Sequence, residues 1–161
     1  MHHGSNWYCC RHFWPILASK VQQEKTSLVV ADTGTGTMNP QFDQVGRQFV
    51  EFYYKVFDEN RSGLAPLYRQ PSMMTFEGVQ LIGAEAIMQK LIALPFQKVQ
   101  HVVTTVDCQP MLDGGVLVMV VGQLKTDDDP PHGFSQTFVL KNDGSNWFIF
   151  SDLFRLVVHS V

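Results

Sequence analysis

Three aspartates in succession, Asp127-Asp128-Asp129, run into Pro130-Pro131 and form a dense knot of like charge. Carboxylates crowded on a short turn repel one another, and no Lys or Arg follows within the turn to neutralise them, so the tip favours a cation from outside. A solvated turn kept soluble by its charge is the plain alternative. A Ca²⁺ loop fits poorly, because the Gly at the sixth position and the Glu at the twelfth that the common calcium loop needs are missing. A basic protein surface is the better functional candidate. Elsewhere, Glu77, His101, Asp107 and Asp152 are the groups that an apolar cavity could tune for acid–base work. Against this, a histidine in a strand is most often a hydrogen-bonded structural residue, and Asp152 has Arg155 three residues on as a ready cation. The chain contains no Ser-His-Asp arrangement, glycine-rich phosphate loop or metal-ligand spacing, so neither a catalytic site, a metal nor a cofactor is expected.

The acidic tip needs two strands to hold it. Leu117-Val-Met-Val-Val-Gly-Gln-Leu-Lys125 is an apolar run suited to a strand covered on both faces, and Asp-Pro-Pro cannot continue a ladder. Apolar residues resume at Phe134 to Leu140, so the tip closes a hairpin. Upstream, Asn39-Pro40 is expected to open a helix by capping and by proline at the first position. That helix runs to about Phe57 on one stripe of Phe42, Val45, Phe49, Val50, Tyr53 and Phe57. Asp58 to Gly63 ends it, and Leu64 to Tyr68 makes a short helical turn. A hairpin bent at Glu77-Gly78 follows from Met73, then a second helix from Ala84 to Leu94, stopped before Pro95. Strands are expected near 98–108, 116–125, 134–142 and 147–158, with Asp113-Gly-Gly and Asn142-Asp-Gly-Ser-Asn as turns. Helices first and strands afterwards mean α+β, with helices on one face of an antiparallel sheet.

With 161 residues, one domain plus a tail is expected. Net charge is −3; residues 38–161 hold 9 basic against 13 acidic residues, and residues 1–37 hold 3 against 2. No basic stripe exists to displace counterions, which argues against nucleic acid. Cys9, Cys10 and Cys108 supply neither a disulfide framework nor a CxxC pair, as in a reduced intracellular protein. No apolar run reaches the roughly eighteen residues of a membrane helix, so no membrane insertion is expected. Residues 1–37 show no sustained period and end in a Gly/Thr linker; they are expected to be an N-terminal extension, disordered or the product of an alternative start at a chain whose ordinary initiator is Met38.

Five blocks carry a resemblance: GQLKTDDDPP, TFEG at 75–78, LPFQKVQH at 94–101, TTVDCQP at 104–110 and DLFRL at 152–156. Together, in one register over about 38–161, they are similar to the nuclear transport factor 2 family. The resemblance implies a cone-shaped fold, a strongly bent sheet wrapped round a long N-terminal helix, and a homodimeric carrier rather than an enzyme. It implies a partner as well, the small GTPase Ran in its GDP form. In the family, the Glu of TFEG and the first and third Asp of the tip pair with a Lys and an Arg of Ran, positions that are Glu77, Asp127 and Asp129 here. An apolar cavity between them accepts an aromatic side chain of Ran, and Phe76 stands where some members have Trp.

The resemblance further implies contact with the Phe-x-Phe-Gly repeats of nucleoporins, for which some members use a Trp at the position of Phe42. Residence in cytoplasm and nucleus, concentrated at the nuclear envelope and pore complex, would follow. Apolar residues on both sides of the 147–158 strand, Leu153 among them, suggest that one side faces the cone and the other a second subunit. The same fold serves isomerases and dehydratases, so a pocket enzyme is the alternative; an acidic tip on a Pro-ended turn lies at a rim, whereas a catalyst keeps its carboxylate inside.

Overall fold

The computed structural model describes residues 38–157. The expected N-terminal extension of residues 1–37 and Val158 of the expected last strand lie outside the described residues. Helix α1 spans Phe42–Asn60, followed by a 3-10 segment Arg61–Leu67. Strand β1 (Tyr68–Phe76) and β2 (Val79–Ile82) form a hairpin, α2 spans Ala84–Ile92, and β3 (Val99–Pro110), β4 (Val116–Thr126), β5 (His132–Asn142) and β6 (Trp147–Val157) complete the chain.

Helix α1 starts later than Asn39-Pro40 suggested. Asn39 spends its side chain on the Gln41 N–H, at 2.9 Å, and Gln41 stands at the N-cap with no side-chain cap. Pro40 therefore sits in the turn before the helix instead of at its first position. The expected apolar stripe faces the core, with Val50, Tyr53 and Phe57 buried and Phe42, Val45 and Phe49 partly buried against it; Tyr54, outside that stripe, is buried as well. Gly46 lies on the same face because the helix passes close to β3: a Cβ there would stand 2.3 Å from Cys108 Sγ.

The six strands form one strongly curved sheet in the order β2-β1-β6-β5-β4-β3. Neighbours are antiparallel at every junction except β1 with β6, which run parallel and make the sheet mixed. Such a pair needs a crossover, which α2 and the four strands between them supply. The inner face packs on α1 and α2 through Met74, Val116, Val118, Val120, Phe134, Phe138, Leu140, Ile149 and Phe154. A bulge between Val103 and Thr105 shifts the phase of β3, so that His101, Val103, Val106 and Cys108 all face inward despite the change from odd to even numbers.

Strand β4 differs from the reading of a strand covered on both sides. Its residues alternate: Val116, Val118 and Val120 are buried, whereas Met119 is 41% and Val121 37% exposed. A single chain supplies helices to one face only. Across the outer face Met119 is paired with Thr137, and Thr137 in turn with Leu153, which is 50% exposed. Val102 on β3 adds to the same uncovered apolar surface.

Candidate functional site

The β1–β2 turn and the β4–β5 tip flank the mouth of the inner face, where aromatic side chains leave a cavity of about 340 Å³. Its wall includes Phe76 at the end of β1 and Phe154 on β6, ring centroids 4.8 Å apart and nearly parallel. Phe134 continues the stack behind Phe154 at 5.9 Å. Lys90 of α2 places its ammonium 5.2 Å from the centre of the Phe76 ring, a cation–π contact at the rim.

Another wall comes from the end of α2 and the α2–β3 connection, with Leu91, Leu94 and Phe96. Arg61 fixes that connection. Its guanidinium donates to the carbonyls of Leu91, Leu94 and Phe96 at 3.3, 3.4 and 3.1 Å and lies 4.6 Å above the Phe96 ring. Carbonyls at a helix C-terminus lack intrahelical partners, and a fork of N–H donors suits them. Nothing local in the sequence marked Arg61, because its partners lie 30 to 35 residues away.

The turn Phe76-Glu77-Gly78-Val79 has positive φ at both central residues, 50° at Glu77 and 85° at Gly78, as two-residue hairpins require. Glycine accepts this freely; glutamate does so at a cost of roughly 1 kcal/mol. The Glu77 carboxylate accepts the Leu156 N–H at 2.6 Å, which holds it against the end of β6. A side chain at position 78 would meet the Arg155 guanidinium at 3.3 Å, so Arg155 runs beside this turn.

Asp127 also adopts positive φ, 45°. Its Oδ1 accepts the Gln97 and Lys98 N–H groups at 3.1 and 2.8 Å, and its own N–H donates to the Lys98 carbonyl at 3.0 Å. Asp127 thus pins the acidic tip to the α2–β3 connection and faces a shallow groove with Lys98 and Lys125, outside the main cavity. Asp129 does line the cavity, its N–H bonded to the Thr126 carbonyl at 2.9 Å. Of the four residues read as one surface, Phe76 and Asp129 border the cavity, while Glu77 and Asp127 hold the two turns beside it. Phe42 begins α1 partly buried against the core, and Leu153 stands on the outer face of the sheet, away from the cavity lining.

Beneath the cavity floor lies a polar network that sequence reasoning missed. Asp152 is fully buried; its Oδ2 accepts the Tyr68 hydroxyl and its Oδ1 the Gln136 amide, both at 2.8 Å. Gln136 Oε1 accepts the Tyr54 hydroxyl at 2.8 Å, and the Tyr53 hydroxyl lies 3.3 Å from that of Tyr68. The expected pairing of Asp152 with Arg155 does not occur. Residues three apart on a strand point to opposite faces, so Arg155 is outside and Asp152 inside. Burial with no cation pushes the Asp152 carboxyl up to about 6, hydrogen bonds from Gln136 and Tyr68 opposing the rise. Burial likewise pushes the phenols of Tyr53, Tyr54 and Tyr68 well above their ordinary range, so all three remain neutral donors.

His101 is hydrogen-bonded, as its strand position suggested: Nδ1 lies 2.5 Å from Asp58 Oδ1, and its peptide N–H donates to Asp58 Oδ2 at 2.9 Å. Asp107, the other candidate for acid–base work, lies on the exposed side of β3. Among the described residues no three His, Cys, Asp or Glu side chains group as a metal site, and no helix is long and apolar enough to cross a membrane.

The family model for the nuclear transport factor 2 domain matches residues 45–156, from the first turn of α1 to the end of β6. The chain belongs to the nuclear transport factor 2 family. Nuclear transport factor 2 of Neurospora crassa is 49% identical over 123 residues, 75% of this chain and 99% of that protein. The Saccharomyces cerevisiae protein of the same name is 50% identical over 121 residues, 74% of this chain and 97% of its own. Among solved structures, nuclear transport factor 2 from Cryptosporidium parvum superposes with a TM-score of 0.74 at 46% identity, covering 76% of this chain and 99% of that one. The role that comes with membership is that of a nuclear transport factor, a carrier and not an enzyme.

Proposed function

We propose that this chain carries Ran in its GDP form into the nucleus, binding it through Phe76, Glu77, Asp127 and Asp129. The observation that supports this reading is an apolar cavity of about 340 Å³ with Phe76 in its wall and carboxylates on both turns at its mouth. An aromatic side chain entering the cavity would supply most of the affinity, and Lys or Arg groups of the partner would meet Glu77 and Asp129 at the rim. Glu77 and Asp127 are already fixed by backbone N–H groups, so little side-chain entropy is lost on binding. Discrimination between nucleotide states would reside in Ran, as a difference of affinity for two conformations.

The carrier works as a homodimer in this proposal, the outer face around Met119, Val121 and Leu153 meeting the same face of a second copy. Phe-Gly repeats of nucleoporins would be held partly through Phe42, whose partial burial leaves only part of its ring for contact. Concentration at the nuclear envelope and pore complex, with exchange between cytoplasm and nucleus, would follow from those contacts. The structured carrier would comprise residues 38–161, with residues 1–37 as an extension to it. A pull-down of the full chain with Ran loaded with GDP or with a GTP analogue, at low and moderate salt, tests the proposal. Retention of the GDP form alone, weakened by salt, is the expected result; retention of neither form would remove the carrier reading.

A further inference from the structure

The interior of the cavity holds a polar atom that no group among the described residues engages. His101 reaches the cavity from β3 with its side chain only 3% exposed. Asp58 grips it twice, Oδ1 at 2.5 Å from Nδ1 and Oδ2 on the peptide N–H. A carboxylate only accepts, so the neutral ring carries its hydrogen on Nδ1, and Nε2 presents a lone pair. Tyr54, Phe57 and Phe134 pack round the ring with centroids 4.8, 5.1 and 5.3 Å away, which prevents it from turning. Among the described residues every fully enclosed side-chain nitrogen or oxygen has a partner, and Nε2 has none, so Nε2 opens onto the cavity. Tyr53 and Gln136, the neighbouring polar groups of the lining, are committed to the network around Asp152.

We propose that the cavity binds small hydroxylated aromatic molecules, the hydroxyl donating to His101 Nε2 and the ring lying among the apolar walls. The requirement for a donor comes from the lone pair on Nε2. The preference for a flat ring comes from the aromatic lining, Phe57, Phe76, Phe96 and Phe154, against whose edges and uncovered faces a ring packs. The volume, about 340 Å³, is more than twice the roughly 150 Å³ of an apolar cavity that takes benzene, so a ring with a short alkyl chain fits. An anion is disfavoured, because Asp58 stands behind the imidazole and Asp129 at the mouth. Binding itself is independent of the carrier reading; its consequence, competition with the aromatic side chain of Ran for one cavity, rests on that reading.

Calorimetric titration of the full 161-residue chain with 4-propylphenol and with its methyl ether tests the inference. The phenol is expected to bind about three- to tenfold more tightly than the ether, the worth of one neutral hydrogen bond. His101→Phe should remove that preference while leaving the ether bound. Equal affinities in the native chain, or binding of neither compound, overturn the inference whether or not the variant folds. A preference that survives in a folded His101→Phe overturns the assignment to Nε2. Pull-down with GDP-loaded Ran separates the two readings: a hydroxyl preference in a chain that ignores Ran sinks the carrier and leaves the ligand site standing. Ran binding by a chain without the preference does the reverse.

Discussion

Asp152→Asn should make the protein more stable at neutral pH, although it removes a buried charge held by two hydrogen bonds. The carboxyl is raised from an ordinary 3.8 to about 6, because burial penalises its ionised form by more than Tyr68 and Gln136 return. At about 1.4 kcal/mol per pH unit, that rise corresponds to ~3 kcal/mol. A raised carboxyl contributes its stability in full below pH 3.8, where both folded and unfolded chains hold the proton, and loses it as pH climbs through about 6. Asparagine is neutral throughout and escapes that loss. Its amide also suits the site: Oδ1 accepts from Gln136, and Nδ2 donates to the Tyr68 hydroxyl, which is free to donate in turn to Tyr53, 3.3 Å away.

The quantity to follow is the difference in unfolding free energy between variant and native chain, measured by urea titration at pH 4, 5, 6 and 7 and one fixed protein concentration. Asp113 and Asp143, whose carboxyls are held below their usual range by Lys141 and by backbone N–H groups respectively, favour stability at high pH, but they are present in both proteins and cancel. The difference should move in favour of asparagine by about 2 kcal/mol between pH 4 and pH 7, part of the ~3 kcal/mol being already lost at pH 4, a relative midpoint change of about 1–2 M urea for ordinary slopes. A difference that stays constant across that range would refute the reasoning, since it would mean that Asp152 keeps its charge in the fold at no cost.

Glu77→Lys should abolish retention of GDP-loaded Ran in a pull-down while leaving the assembly state unchanged; a folded variant that still retains Ran removes Glu77 from the site. Leu153→Glu should split the homodimer, because a half-exposed position in one chain tolerates a carboxylate and a buried seam does not. Sedimentation that finds a dimer at low micromolar concentration would place the interface elsewhere. Gly46→Ala should lower the melting temperature, as a methyl 2.3 Å from Cys108 Sγ and 3.1 Å from Val118 costs about 1–3 kcal/mol against a helix-propensity gain of about 1. Adding Cys108→Ala should restore most of the loss; a double variant no more stable than Gly46→Ala alone would show that the contact is not the cause.

Periodicity made the elements legible because each has one face on the core. The stripe of α1 therefore marks its own position, the apolar runs of β4 to β6 are set off by the turn residues between them, and the tip Asp127-Asp128-Asp129 marks a turn by chemistry alone. What failed was whatever depends on which face is covered or on pairs distant in sequence. The apolar run of β4 suggests a strand buried on both faces, yet Met119 and Val121 point outward from a single chain. Proximity in sequence pairs Asp152 with Arg155, although strand geometry puts them on opposite faces of the sheet. Asp58 and His101 are 43 residues apart and nothing local joins them; a carboxylate at the end of an amphipathic helix looks solvated until the bulge in β3 turns His101 toward it. The β1–β6 parallel junction has no local signature either, since it is decided by where the last strand finds an open edge.

The two turns beside the cavity illustrate why a site can contradict its own backbone. A hairpin bend with positive φ at both central residues is best served by Asn-Gly or Gly-Gly, and a strained aspartate at the tip of β4 gains nothing from its conformation that glycine would not give. Glu77 and Asp127 nevertheless occupy these positions, and each satisfies a backbone N–H that no strand pairing reaches: Leu156 at the end of β6, and Gln97 and Lys98 before β3. Those bonds recover part of the conformational cost and lock the carboxylates in place. They also tie the β1–β2 hairpin to β6 and the acidic tip to the α2–β3 connection, so the residues that strain the turns are the ones that fix the width of the cavity mouth.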